Sequence, residues 1–290
     1  MVTKRIGIIA NKEKPKAESV TKELVLLLEE RGSDVLVDPI MAERIDRPEL
    51  GIELEHFPSR VDMLFVLGGD GTLLGIARQF AAHDLPLLGF NLGHLGFLSE
   101  AEPEDLACAI DRVLAKDYIL EERMMLDAEV IRGGIPLEKS ISLNEVGIAN
   151  SFSRMITTKV YMDNAYLGTY SGDGIIVSSP TGSTAYSLSC GGPIVWPSVQ
   201  TLLLTPICPH TLTARPMVLP ADATIEIVVS ASHEDIGLTI DGQLGIRLQI
   251  DDVIRIRQSS YRTTLVKWRE RSFFEVVRKK LHGELLEDIR

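Results

Sequence analysis

Cysteine is scarce in this chain and histidine is scattered. The three cysteines, Cys108, Cys190 and Cys208, are odd in number, far apart and outside any Cys-x-x-Cys pairing. That excludes a disulfide framework and predicts inert thiols in a reducing, cytoplasmic setting. The six histidines show no His-x-x-x-His or comparable spacing, so a structural zinc site is not expected. No apolar stretch approaches the roughly 20 residues of a membrane span. The run Ile6-Gly7-Ile8-Ile9-Ala10 is too short for the core of a signal peptide, and Asn11-Lys12-Glu13-Lys14 follows at once. Neither a membrane nor a secretory route is expected. Positive charge is short as well: 30 Lys and Arg stand against 41 Asp and Glu, a formal net charge of −11. Such a balance argues against a surface that binds nucleic acid non-specifically. It also means that an anionic substrate must be held by local donors and metal, against the general field.

What the chain does have is apolar content, 45% of 290 residues, enough to bury a core in each of two ordinary domains. Its first third alternates strands and helices. Arg5-Ile6-Gly7-Ile8-Ile9-Ala10 reads as a buried strand. Val20, Leu24, Leu27 and Leu28 follow helical spacing over 15–31, and Gly32 ends that helix. Asp34-Val35-Leu36-Val37, Met63-Leu64-Phe65-Val66-Leu67 and Pro86-Leu87-Leu88-Gly89-Phe90 are further strands. A helix opens at Pro103, with Leu106, Ile110, Val113 and Leu114 inward. This rhythm predicts a Rossmann-like α/β domain over 1–118, with a mostly parallel sheet covered on both faces. Short strand-like runs then dominate, at 124–131, 141–148, 157–162, 174–177, 225–229, 238–240, 253–256 and 263–268. Gly133-Gly134, Asp163-Asn164 and Asp241-Gly242 read as turns between them. A β-rich domain over 119–269 follows, a sandwich or a stacked pair of sheets. The closing segment 270–290 is helical. Ser272 and Glu275 fit a capping box, and Phe274, Val277, Leu281 and Leu285 share a face that must be buried, in our reading against the first domain.

The most informative residues are Gly68-Gly69-Asp70-Gly71-Thr72, between a buried strand and the apolar helical pattern Leu73, Leu74, Ile76, Ala77 and Phe80. A glycine-rich turn at a helix start exposes backbone N–H groups in a positive field, which suits phosphate. Asp70 would repel that anion. The conflict resolves if Asp70 acts as a base on a substrate hydroxyl, or helps organise Mg²⁺ beside the phosphates. The plain alternative is a tight turn in which Asp70 caps the helix. The loop is not a Walker A sequence. It misses the dinucleotide fingerprint as well, because Leu74 stands where a third small residue belongs.

Two further constellations stand out. Thr181-Gly182-Ser183-Thr184-Ala185-Tyr186-Ser187-Leu188-Ser189 concentrates small hydroxyl residues and glycine where a helix begins. It is either an ordinary helix cap or a set of donors for a ligand, with Tyr186 free to stack. Asn144-Glu145 interrupts the apolar run 141–148, and taken alone it fits a solvated strand edge. Asp173 could be a turn residue or a site residue ahead of the Thr181 segment. By local chemistry Asp241-Gly242-Gln243 is a hairpin turn rather than a binding element.

Taken together and in this order, the glycine loop, Asn91-Leu92-Gly93-His94-Leu95-Gly96-Phe97-Leu98, Leu143-Asn144-Glu145-Val146, Asp173-Gly174, the Ser179 to Ser189 segment and Asp241-Gly242-Gln243 resemble the NAD kinase family over nearly the whole chain. The glycine loop is shared with lipid kinases of the diacylglycerol and sphingosine type. Asn-Glu together with Thr-Gly-Ser-Thr-Ala-Tyr is far more specific. The resemblance implies an α/β domain, a β-sandwich domain that binds NAD, and a C-terminal segment returning to the first domain. It implies transfer of the ATP γ-phosphoryl group to the 2′-hydroxyl of the adenosine ribose of NAD, giving NADP, with Mg²⁺ or another divalent cation arriving with ATP and no direct protein ligand for it. By the same resemblance Asp70 is the proton acceptor with Gly71 beside it, and Phe97 is an aromatic wall of the pocket. Asn144 and Glu145 hold the adenosine portion of NAD. Thr181, Thr184, Ala185, Tyr186 and Ser189 contact adenine and ribose, Asp173 and Arg154 are neighbouring contacts, and Gln243 reaches the pocket from a neighbouring subunit of a homo-oligomer, a dimer or tetramer. Ser171 departs from the pattern, since many similar bacterial members carry arginine there.

Two rival functions share these motifs. A lipid kinase would want an apolar acceptor pocket or a membrane-attracting surface, and the acidic chain offers neither. A non-catalytic dinucleotide sensor would use Asp70 merely as a cap.

Overall fold

The computed structural model of the chain describes residues 4–93, 96–150, 155–231 and 235–282. In chain order the first elements are strand β1 (Arg5–Ala10), helix α1 (Ala17–Glu30), strand β2 (Asp34–Val37), helices α2 (Pro39–Arg44) and α3 (Phe57–Arg60), strand β3 (Met63–Gly68), helix α4 (Asp70–Gln79), strand β4 (Leu87–Asn91) and helix α5 (Leu106–Ala115). Strands β5 (Ile119–Arg132), β6 (Ile135–Ser142), β7 (Glu145–Asn150), β8 (Ile156–Met162), β9 (Ala165–Gly172) and β10 (Gly174–Ser178) follow. After the one-turn helix α6 (Tyr186–Ser189) come β11 (Thr201–Ile207), β12 (Met217–Pro220), β13 (Ile225–Ser230), β14 (Ile236–Ile240), β15 (Leu244–Leu248), β16 (Val253–Lys267) and helix α7 (Phe273–His282). The chain divides into two compact units, Met1–Glu122 with Thr263–Arg290, and Arg123–Arg262.

In the first unit β1 pairs in parallel with β2 and β3, β3 with β4, and Leu265 near the end of β16 with Leu87 of β4. Strands β3 and β4 are buried along their whole length, as strands of a parallel sheet covered on both faces must be. Val20, Leu24 and Leu28 of α1 and Leu106, Ile110 and Val113 of α5 close one core with Ile6, Ile8, Phe65, Leu88 and Phe90. Half of the expected capping box of α7 forms, the Ser272 N–H donating to Glu275 Oε2 at 3.2 Å, while Ser272 Oγ accepts from the Phe274 N–H at 3.3 Å instead of that of Glu275. Its buried face differs from the expected one. Val276 and Val277 are buried while Phe274 and Leu281 are exposed, and Leu285 lies outside the described residues.

The second unit contains a six-stranded antiparallel sheet in the order β12-β11-β10-β7-β14-β15. In its other sheet β13 pairs with β16 and β8, and β8 with β9, all antiparallel, while β5 pairs with β16 and β6. One core draws Leu126, Val160, Ile227 and Ile254 from the second sheet and Val146, Ile175, Leu204 and Leu238 from the first, which makes the unit a sandwich. Two hairpins with two-residue loops sit at the expected turns, each with both residues at positive φ: Gly133 and Gly134 (57°, 82°), and Asp163 and Asn164 (50°, 68°). The three-residue loop 241–243 joining β14 to β15 has Asp241 and Gly242 at positive φ (50°, 63°). The run 141–148 is not one strand. It breaks between β6 and β7 because the amides of residues 143 to 145 turn to a side chain instead of a ladder. Conversely, 253–256 and 263–267 are parts of the single strand β16, which stops one residue short of Trp268.

Candidate active site

The site residues fall in two groups, one in each unit. In the first unit β3 runs almost directly into α4, with Gly69 alone between them. Gly68 is needed for this approach, since a Cβ there would lie 2.3 Å from Thr72 Oγ1. Thr72 Oγ1 in turn accepts from Asn11 Nδ2 at 3.1 Å. Asp70 is the first residue of α4 and does not cap it, which corrects the plain reading of this motif. Its carboxylate leaves the helix and takes the backbone N–H of Phe97 at 2.8 Å on Oδ2 and that of Leu98 at 3.2 Å on Oδ1. A carboxylate offers about four acceptor positions, so among the described residues one on each oxygen remains open. The loop that supplies these donors is built for them. Asn91 Oδ1 accepts from the Gly93 N–H at 2.9 Å, and Ser99 Oγ accepts from Asn91 Nδ2 at 3.3 Å and from the Gly96 N–H at 3.0 Å. A Cβ on Gly96 would lie 1.9 Å from Asp70 Oδ1, so only glycine lets the carboxylate seat itself. Asp70 and Phe97 are half-buried and Gly71 is exposed.

The second group is ordered by Asp241. Its buried carboxylate accepts from Ser142 Oγ at 2.6 Å and from the N–H groups of Leu143 at 3.2 Å, Asn144 at 2.7 Å and Glu145 at 3.1 Å. Asn144 and Glu145 therefore occupy a fixed corner rather than the interior of a strand. The Thr181 segment locks onto the same corner. Ser179 Oγ donates to the Leu143 carbonyl at 2.5 Å, the Ser179 N–H to the Asn144 carbonyl at 2.8 Å, and a Cβ on Gly182 would lie 2.2 Å from that carbonyl oxygen. The segment is a 3₁₀ turn, Thr181–Thr184, followed by the single turn α6, and not the start of a longer helix. Thr181 is buried and its hydroxyl accepts from Arg123 at 3.3 Å. Thr184 and Ala185 are half-buried, Tyr186 and Ser189 exposed.

Three buried polar atoms here have no hydrogen-bond partner among the described residues: Asn144 Oδ1, Glu145 Oε2 and Ser178 Oγ. Ser178 on β10 stands directly opposite Glu145 on β7, so the two side chains share a sheet face. Buried orphans are rare in folded proteins, and a cluster of them calls for a partner from outside the chain, a ligand or a water. Burial, reinforced by the charge of Asp241, pushes the Glu145 carboxyl up to about 8. The group can thus donate a proton in a hydrogen bond near neutrality.

Asp173 is half-buried between β9 and β10, and the Cys208 thiol is pushed up by its hydrogen bond to the Asp173 carboxylate. The Tyr186 hydroxyl faces Cys190, with Asp173 within electrostatic reach of Tyr186 and Glu145 of Cys190. Gln243 is exposed in the β14–β15 hairpin. Ser171, the position that departs from the family pattern, pairs its hydroxyl with that of Thr157 at 3.0 Å across β9 and β8. Arg154, like His94 and Leu95, lies outside the described residues. Sequence reasoning missed Asp241, Ser142, Ser178 and Arg123 as members of this group. An Asp-Gly hairpin and isolated serines carry no local sign of burial.

Known proteins give the frame for this geometry. Residues 6–118 match the ATP-NAD kinase N-terminal domain family, and residues 143–268 the ATP-NAD kinase C-terminal domain family. The chain is 46% identical over 281 residues to the NAD kinase of Moorella thermoacetica, covering 96% of this chain and 89% of that one. With the NAD kinase of Caldanaerobacter subterraneus the identity is 41%, covering 96% and 99%. Among solved structures it is similar to yeast NADH kinase complexed with NADH, with a TM-score of 0.86 and 26% identity over 97% of this chain and 88% of that one. An NAD kinase from Archaeoglobus fulgidus in complex with ATP shares the fold, with a TM-score of 0.76 at 23% identity over 96% and 99% of the two chains. The chain belongs to the NAD kinase family.

Proposed function

We propose that this enzyme passes the γ-phosphoryl group of ATP to the 2′-hydroxyl of the adenosine ribose of NAD, with Asp70 accepting the hydroxyl proton. The observation that carries the reading is the seating of Asp70. Two backbone N–H groups fix its carboxylate and leave an acceptor position open on each oxygen, at the start of a helix entered through a glycine turn. Phosphoryl transfer asks the protein chiefly for positioning and electrostatic stabilisation, and a carboxylate fixed in this way meets the first demand. The unpartnered atoms of Asn144 and Glu145 support assigning these two residues to the adenosine portion of NAD. Gly71 and Phe97 complete the surroundings of Asp70. Thr181, Thr184, Ala185, Tyr186 and Ser189 contact adenine and ribose, with Asp173 and Arg154 as neighbouring contacts. Gln243 serves a neighbouring subunit in a cytoplasmic homo-oligomer. A divalent cation, Mg²⁺ by preference, would come bound to ATP and would supply charge neutralisation at the phosphates. Mg²⁺ keeps several waters and binds substrate phosphates rather than an all-protein cage, so a cation carried by ATP would need no direct protein ligand and Asp70 stays available to take the proton.

A second reading has a specific observation behind it: the same two hydrogen bonds could make Asp70 no more than a plug for the Phe97 loop. Asp70→Asn separates the two. As a base, Asp70 should be worth about 10²–10⁴-fold in turnover, so the variant should still bind NAD by calorimetry while NADP formation collapses. As a plug, the variant would lose stability and keep near-normal turnover per folded molecule.

A further inference from the structure

The peptide that holds Asp70 is itself held from behind. Lys267, at the end of β16, donates from Nζ to the Leu98 carbonyl at 3.2 Å and to the Phe97 carbonyl at 3.5 Å. These carbonyls belong to the two residues whose N–H groups hold the Asp70 carboxylate. The Phe97 carbonyl and the Leu98 N–H lie in one amide plane. That plane is therefore pinned at its oxygen by an ammonium and at its nitrogen by the carboxylate. A cation on the carbonyl side polarises the amide and strengthens the N–H as a donor.

Lys267 is fixed in turn by Glu100. The Glu100 side chain is 1% exposed and that of Lys267 13%. Glu100 Oε2 accepts from Lys267 Nζ at 2.9 Å, and Oε1 from the Trp268 N–H at 3.0 Å. Arg271 donates to the Glu100 backbone carbonyl at 2.7 Å, so the loop strand and the C-terminal segment are laced together. A buried ion pair is weak evidence for stability, because desolvation offsets its attraction. Its geometry here points to a different use. An apolar pair of equal volume could fill the space but could not grip two carbonyl oxygens.

We propose that Lys267, oriented by Glu100, is a positioning residue for phosphoryl transfer that acts through the Phe97–Leu98 peptide on Asp70. The proposal rests on Asp70 as the proton acceptor, and the test keeps the two apart. Steady-state NADP formation is measured for Lys267→Met, for Lys267→Arg and for the charge-neutral pair E100Q/K267M, which removes both ions together should the single variant fold poorly. The expected result is a fall in kcat of roughly 10- to 100-fold, the scale set by displacing a catalytic group or its outer partner. The KM values for NAD and ATP should stay within about threefold, and Lys267→Arg should recover most of the rate. In the Asp70→Asn background Lys267→Met should cause no further loss, since a residue acting through Asp70 has nothing left to position. If Asp70→Asn is inactive while both Lys267→Met and the paired variant keep wild-type kcat, the positioning proposal is overturned and the base stands. An equal loss from Lys267→Met with and without Asp70 also overturns it. Near-normal turnover of Asp70→Asn sinks the base itself.

Discussion

Asp241 looks, in sequence, like the first half of an Asp-Gly hairpin, and it is one, with φ at 50°. What no local rule conveys is that its carboxylate is buried under Ser142, Leu143, Asn144 and Glu145 and satisfies four donors at once. One residue thus serves a turn and the corner proposed to bind the dinucleotide. Asp241→Asn tests the second role while sparing the first, because asparagine tolerates the same left-handed backbone. Its NH₂ group would face N–H donors that need an acceptor, and leaving buried donors unpaired costs about 1–3 kcal/mol. The variant should unfold at lower urea, by a shift equivalent to about 2 kcal/mol, and its KM for NAD should rise more than its kcat falls. An unchanged KM would detach the corner from the dinucleotide.

Elements were legible in proportion to how locally they are determined. The strands that became β1, β3 and β4 are continuous apolar runs bounded by glycine or polar residues, and they sit where the pattern put them. Helices α1 and α5 show their inward faces in the spacing of leucine, isoleucine and valine. Strand β9 was invisible because Gly168, Gly172 and exposed polar positions leave it no alternation. The loop joining β4 to α5 shows the opposite limit. Its motif was readable as a resemblance, but the reason for Gly96 was not. That glycine is required by the Asp70 carboxylate arriving from α4, a neighbour distant in sequence. Gly96→Ala should therefore act as a displacement of Asp70. With the carboxylate shifted from its donors, NADP formation should drop by about 10²-fold, the scale of a misplacement of about 1 Å. The far-UV circular dichroism should stay that of the parent. Full activity in this variant would mean that the seating of Asp70 is not what turnover depends on.

At the scale of the whole molecule, the buried acid in the second unit couples the proposed site to folding. Glu145 titrates at about 8 in the folded chain, raised first by burial and then by Asp241, against an ordinary value of 4.5. The unfolded chain loses this proton from about pH 4.5 upward while the native chain keeps it, so native protein binds more protons throughout that window. Stability contributed by Glu145 is then full below pH 4.5 and drains away as pH rises toward 8, with a limiting slope of roughly 1.4 kcal/mol per pH unit. Other acids work in the opposite sense and elsewhere. Glu270, held down to about 2 by its hydrogen bond with Arg112, withdraws its support only at lower pH. Glu145→Gln removes the Glu145 titration and leaves the rest. Urea midpoints of parent and variant should therefore diverge steadily between pH 5 and pH 8 in favour of the variant. A gap that stays constant across that range would mean that Glu145 is already ionised in the native protein. It would then meet NAD as a carboxylate that accepts hydrogen bonds, and not as an acid that donates one.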